Sequence, residues 1–142
     1  MRLNVTSKGR YALRVMMDLA QQEGGGFVSL KTVAERQHIS PKYLEAIAGG
    51  LKRAGLIESS RGKEGGYRLA KPVEDYTVGE ILRSMEESLA PIACVSGDSV
   101  NCERAAFCLT LPMWRELDAL TENYLNSVAL SDLLSGERWK NK

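Results

Sequence analysis

Three cysteines, Cys94, Cys102 and Cys108, stand in the spacing C-x7-C-x5-C within a small, polar stretch from Ser88 to Thr110 that has no clear periodicity. An odd number of cysteines argues against a disulfide framework, and structural cysteines normally sit in periodic apolar segments. Thiolates gathered on such a loop suit a soft metal, either zinc or an iron–sulfur cluster. The C-x2-C or C-x4-C pair usual in zinc knuckles is absent. A redox-sensing thiol with a resolving partner would use the same residues. A cluster normally takes four protein ligands, so three cysteines leave one place open. The single histidine, His38, lies far along the chain and reads as a turn residue. Asp98 and Glu103 are the local oxygen donors, and a side chain from a second subunit or an exogenous thiol or water would also serve.

A second chemistry, polyanion binding, belongs to residues 28–69. Ser29 stands as N-cap before the helical run Leu30–Gln37, with Val28 placed to staple onto Val33. Ser40 caps a second run, Pro41 takes its first position, and Ile39 can staple onto Leu44. Leu44, Ile47, Ala48 and Leu51 form its buried stripe at i, i+3, i+4, i+7, which turns Lys42, Tyr43, Glu45 and Ala46 outward. Gly55 ends this helix. Leu56–Ser60 and Tyr67–Leu69 read as the strands of a hairpin, around the turn Arg61-Gly62-Lys63-Glu64-Gly65-Gly66. Helix pair and hairpin in this order make a winged helix-turn-helix, in which the start of the second helix reads base edges. An arginine on the wing tip suits the negative potential of a narrow minor groove.

The remaining elements support these two. A helix from about Ser7 to Gln22 carries the ladders Tyr11/Val15/Leu19 and Ala12/Met16/Ala20, a wide apolar face able to back the helix pair. Lys8 and Arg10 near its start are placed to touch phosphate, and Gly24-Gly25-Gly26 ends it. Gly49-Gly50 inside the second helix implies local weakness or a closely packed neighbour, since each glycine costs about 1 kcal/mol against alanine. Thr77-Val78-Gly79-Glu80 reads as a capping box with Tyr76 and Ile81 as staple, opening a helix to about Glu87. From Pro112 to about Val128, Met113, Leu117, Leu120, Tyr124 and Val128 form a heptad-like stripe that Trp114 and Leu125 widen. So much apolar surface calls for a partner, and a twofold homodimer suits a protein reading a palindromic site on double-stranded DNA. A short last segment, Leu130–Leu134, has Ser131 as its expected N-cap, and the tail after Gly136 reads as frayed. The fold class expected is mainly α with a small β-hairpin wing. A DNA-binding domain at 1–74 precedes a half at 75–142 that holds the cysteine loop and the dimerisation helices.

Charge divides along the same line. Residues 1–72 carry 13 Lys and Arg against 6 Asp and Glu, and residues 73–142 carry 6 against 12, so a net +7 half is joined to a net −6 half. Only the first half is built to approach a polyanion. No apolar run nears the ~20 residues that span a bilayer, and the start shows no signal-peptide pattern, so a cytoplasmic location without membrane contact is expected. His38 has no nucleophile partner, and no phosphate-cradling or dinucleotide glycine motif is present. These absences leave no small-molecule substrate to identify, and the chain reads as a non-enzyme.

Lys8-Gly9-Arg10-Tyr11-Ala12-Leu13, Ile39-Ser40-Pro41-Lys42-Tyr43-Leu44-Glu45 and Arg61-Gly62-Lys63-Glu64-Gly65-Gly66-Tyr67 resemble the winged helix-turn-helix bacterial regulators typified by IscR, NsrR, RirA and CymR. The resemblance continues through Cys108-Leu109-Thr110 and Trp114 to Leu130-Ser131-Asp132-Leu133. It implies a homodimeric transcription factor, usually a repressor, whose fit to its operator changes with a cluster on the three-cysteine loop. By that likeness Ser40, Lys42, Tyr43 and Glu45 face the major groove, Arg61 (with Lys63 beside it) enters the minor groove, and Cys94, Cys102 and Cys108 ligate the cluster. Two departures stand out. IscR-like members carry a histidine ligand three residues after the third cysteine, where this chain has Leu111, and their first cysteine gap is shorter. NsrR-like members recruit an acidic residue from the partner's first helix, where this chain offers Thr6, Ser7 and Lys8. The implied cofactor is an iron–sulfur cluster, 2Fe–2S in preference to 4Fe–4S, held by three cysteines and one unassigned group. The competing readings are a cluster-free, CymR-like regulator of cysteine or sulfur metabolism and a zinc-stabilised interaction module.

Overall fold

A computed structural model describes residues 5–22, 26–62, 65–86, 89–90, 93–95 and 103–140. Lys63, Asp98, Cys102 and the glycines at 24 and 25 lie outside the described residues.

Helix α1 (Ser7–Ala20) starts at Thr6, whose hydroxyl accepts from the Gly9 N–H. It buries Ala12, Val15, Met16 and Leu19. Helices α2 (Leu30–Gln37) and α3 (Pro41–Arg53) begin where the caps foretell: Ser29 accepts from the Thr32 N–H and Ser40 from the Tyr43 N–H, each at 3.2 Å. Between them His38 takes the left-handed conformation, φ 54°, that ends α2 and sets the tight turn. The stripe Leu44, Ile47, Ala48 and Leu51 is fully buried. Gly55, at φ 76°, lets the chain reverse after α3: its N–H reaches the Lys52 carbonyl and the Leu56 N–H the Leu51 carbonyl. That is the paired closure of a Schellman motif.

Strands β1 (Ile57–Ser60) and β2 (Gly66–Leu69) pair antiparallel, Ile57 opposite Leu69 and Ser60 opposite Gly66. Val28 adds a third rung that period-2 patterning cannot reveal, because it is one residue long. Its N–H and carbonyl each bond Tyr67 at 2.8 Å. This rung explains Gly66, whose backbone sits at φ 151° and whose missing side chain leaves room for the Val28 carbonyl.

Helix α4 (Val78–Met85) starts at Thr77, which accepts from the Glu80 N–H. The capping box is only half formed. The Glu80 carboxylate turns to Lys71 Nζ at 3.0 and 3.2 Å rather than back to Thr77, because an ammonium is the stronger donor. Tyr76 and Ile81 are fully buried, and with Leu130 they join the same core as α1 and α3. Helix α5 (Leu111–Ser127) is the longest element, and α6 (Leu130–Ser135) follows. A bridge from Thr77 to Ala129 ties the end of α5 to the start of α4.

Two expectations near the C-terminus need correction. Ala129, not Ser131, is the N-cap of α6, and the Asp132 carboxylate at the third helical position accepts back from the Ala129 N–H at 2.9 Å. The tail does not fray over residues 137–140. A 3-10 turn follows Gly136, Arg138 donates to the Ser127 carbonyl and hydroxyl at the end of α5, and Trp139 packs against Val78, Leu82, Leu89 and Val128. Among the described residues no helix is long and apolar enough to cross a membrane.

Candidate functional site

The first turn of α3 is held from behind. Tyr43 is half-buried rather than free, its ring meeting that of Tyr11 edge-on with centroids 5.9 Å apart. Arg14 lies over the Tyr11 ring, 5.0 Å from its centroid, and donates to the side-chain and main-chain oxygens of Gln37 at the end of α2. A second strut runs from α1 to α2. Asp18 is 3% exposed and receives Arg36 Nη2 at 2.6 Å, Arg36 Nε at 3.1 Å and Gln37 Nε2 at 2.9 Å. The Asp18 hydrogen bond raises the Arg36 pKa further, so the guanidinium stays charged at any working pH. Neither Arg14 nor Asp18 stands out by a motif. The available signal is a lone carboxylate inside the apolar run Val15-Met16-Met17-Asp18-Leu19, since a buried aspartate must be paired.

These struts aim an exposed polar surface. Lys42, Glu45 and Ala46 are exposed, and so are Ser40 and Pro41. Ser40 spends its oxygen on the Tyr43 N–H. Arg61 is exposed at the wing tip, next to Gly62 at φ 107°. Arg10 is exposed and bonds the Ser7 hydroxyl at 3.1 Å, whereas Lys8 is half-buried. The surface therefore combines a helix start, a wing tip and the first turn of α1.

Cys94 and Cys108 lie against one small apolar cluster. Both are free thiols, half-buried, and both pack against the small apolar cluster of Ala90, Val95 and Leu111, with Trp114 and Ala105 beside them. Cys108 stands three residues before α5, and its Sγ lies 3.4 Å from the Thr110 hydroxyl. That hydroxyl, then the backbone N–H groups of Thr110 and Leu111 and the charge of Arg104, pull the Cys108 pKa below the ordinary thiol value; burial opposes them. Donors at a helix start favour thiolate, the form in which sulfur ligates metal. Glu103 is exposed, and Leu111 is buried in the cluster.

A helix pair across a left-handed turn, an exposed reading helix and a glycine-tipped two-stranded wing define a winged helix-turn-helix DNA-binding regulator. The chain belongs to the Rrf2 family, described as "Iron-dependent Transcriptional regulator", whose profile matches residues 5–136. It is 39% identical to protein rrf2 of Nitratidesulfovibrio vulgaris over 132 residues, 93% of this chain and 87% of that one. Among solved structures it resembles T. potens IscR, at 38% identity and TM-score 0.75, covering 97% of this chain and 91% of that one. It also resembles CymR, the global cysteine regulator of B. subtilis, at 35% identity and TM-score 0.75, covering 94% and 98%. The protein is a transcriptional regulator, a class that acts by binding DNA rather than by catalysis.

Proposed function

We propose that this chain acts as a homodimer on a palindromic operator, usually as a repressor, with DNA affinity set by an iron–sulfur cluster held by Cys94, Cys102 and Cys108. The observation that carries this reading is the packing of Cys94 and Cys108 against one apolar cluster, with the Cys108 thiol pKa lowered chiefly by the Thr110 hydroxyl. The donor set is soft, partly shielded from water and next to a helix start, which fits a cluster with a net negative charge. When bound, the cluster supplies one-electron redox chemistry and oxygen or iron sensitivity. Everything else is done by the chain. Lys8 and Arg10 neutralise phosphates, Ser40, Lys42 and Tyr43 position the reading helix on backbone and base edges, and Glu45 accepts from a cytosine amino group while repelling phosphate. Arg61 and Lys63 enter the minor groove. The domain boundary near residue 74 separates the part that grips DNA from the part that senses.

Reconstitution without air, using iron and sulfide, is expected to give visible absorbance that Cys108→Ala or Cys102→Ala largely removes. A colourless wild-type protein after that treatment would overturn the cluster. The likeness to CymR favours one alternative, a cluster-free thiol regulator. Freely alkylated Cys94 and Cys108 in native, iron-free protein would support it. Membership of a DNA-binding regulator family sets aside a zinc module that does not read DNA.

A further inference from the structure

Glu86 is where the chain leaves α4 for the cysteine stretch. Its Oε1 accepts from both the backbone N–H and the hydroxyl of Thr6, each at 2.8 Å. Thr6 is the N-cap of α1, so one carboxylate ties the first turn of α1 to the end of α4 and complements the positive end of that helix. Gly9 lies directly under this seat. Gly9 is buried in ordinary helical backbone, so it needs no special φ. A Cβ there would run into Glu86 Oε1 and press Leu82 Cδ2 at 3.3 Å. With glycine there, the carboxylate keeps that space; a larger residue would make the Glu86 side chain shift. Lys8 and Arg10 flank it.

On the other side of Glu86 the chain is anchored again within a few residues. Leu89 is buried with Val78, Leu82 and Val128, and Ala90 belongs to the cluster that carries Cys94 and Cys108. Leu89 and Ala90 follow Glu86 by three and four residues, so Glu86 stands close in the chain to the cysteine stretch and meets α1 through two hydrogen bonds.

We infer that Glu86 is a positioning residue for DNA binding: it holds Lys8 and Arg10 in register with the phosphates and transmits the state of the cysteine stretch to them. The inference rests on the reading above that Lys8 and Arg10 contact phosphate and that the stretch carries the sensor. Gln at this position keeps the oxygen acceptor and the length, whereas Ala removes both.

The test uses full-length protein and a duplex from upstream of its own operon, titrated over a range of salt, metal-free and after reconstitution. Glu86→Ala and Gly9→Ala are expected to bind about five- to tenfold more weakly near 0.1 M salt. Their log–log salt slope should be shallower by about one. Glu86→Gln should restore most of both, and Lys8→Ala should add nothing further in the Glu86→Ala background. In reconstituted protein, Glu86→Ala should keep its visible absorbance while the affinity ratio between loaded and metal-free forms falls toward one. Wild-type slopes in both Glu86→Ala and Gly9→Ala would overturn the positioning role, and an undiminished ratio would overturn the transmission. Should wild-type protein take up no iron, the cluster reading fails by itself and the salt slopes still decide whether Glu86 positions Lys8. Circular dichroism melts identify any variant that loses affinity by unfolding, and the Gln variant then carries the comparison.

Discussion

The Tyr76 hydroxyl donates to the Leu56 carbonyl at 2.6 Å and accepts from the N–H groups of Ala70 and Lys71 at 2.9 and 3.1 Å. One buried oxygen thus closes the base of the wing against α4. Tyr76→Phe keeps the ring and removes that oxygen. Ala70 and Leu56 can still bond each other, so the main loss is the Lys71 N–H and the strong donation to Leu56. The expected cost is about 1–2 kcal/mol, seen as a melting temperature lower by roughly 3–6 °C. Burial raises the Tyr76 pKa, with the two N–H donors opposing it. For an acid whose folded value lies above the unfolded one, the stabilisation is complete below about pH 10 and lost as pH rises through the folded value. The gap between wild type and Tyr76→Phe should therefore be constant at neutral pH and narrow in strong alkali. An unchanged gap at high pH would reject this role. Pattern reading places Tyr76 as an apolar staple for Ile81, and both are fully buried. The hydroxyl's use is invisible to it, because the partners lie 20 and 5–6 residues away.

At the scale of elements, the starts were legible and some of the joins were not. Ser29, Ser40 and Thr77 each cap the helix they precede, because an N-cap is a local bond between residues three apart. The Val28 rung, the turn of Glu80 toward Lys71 and the use of Asp132 at α6 are choices among competing partners, and tertiary neighbours decide them. The paired glycines of α3 show the same division. A Cβ on Gly49 would meet only Arg53 Nη1 at 3.4 Å, an ordinary contact, whereas one on Gly50 would come within 2.5 Å of Met85 Cε on α4. Gly50 is therefore the close approach, and Gly49 is simply a weak place in the helix. Gly49→Ala should stabilise by about 1 kcal/mol, raising the melting temperature by roughly 3 °C. Gly50→Ala should gain nothing or lose stability, because the Met85 side chain must be displaced. Equal gains from both would remove the packing argument.

For the whole molecule, the charge split and the apolar stripe point in opposite directions, and that opposition fixes how two copies can meet. In the proposed homodimer the +7 half faces DNA, which leaves the acidic half for the shared surface. There α5 leaves Met113, Leu120 and Tyr124 at 52, 60 and 51% exposure. Val128, the last member of the stripe, instead turns into the core with Val78 and Leu82. The heptad pattern thus foretold an exposed apolar stripe but ran one member past it, because a spacing rule does not see the chain's own α4. Phe107 and Leu109, on either side of Cys108 in the chain, are also exposed, at 68 and 97%. A charge placed in the middle of a seam along that stripe would be desolvated on association without a counter-charge. Leu120→Asp should therefore convert a particle of twice 15.7 kDa into one of 15.7 kDa in sedimentation equilibrium, while leaving the helical signal and the melting of each subunit nearly intact. Operator affinity should fall far more than any loss at the reading surface would explain. Two half-sites bound by linked subunits gain an effective concentration in the millimolar range, worth roughly 10²- to 10⁴-fold. A half-site duplex should discriminate between the causes: wild type and Leu120→Asp should bind it equally, because one reading helix and one wing suffice there. A dimeric Leu120→Asp, or one that loses the half-site as well, would place the seam somewhere other than α5.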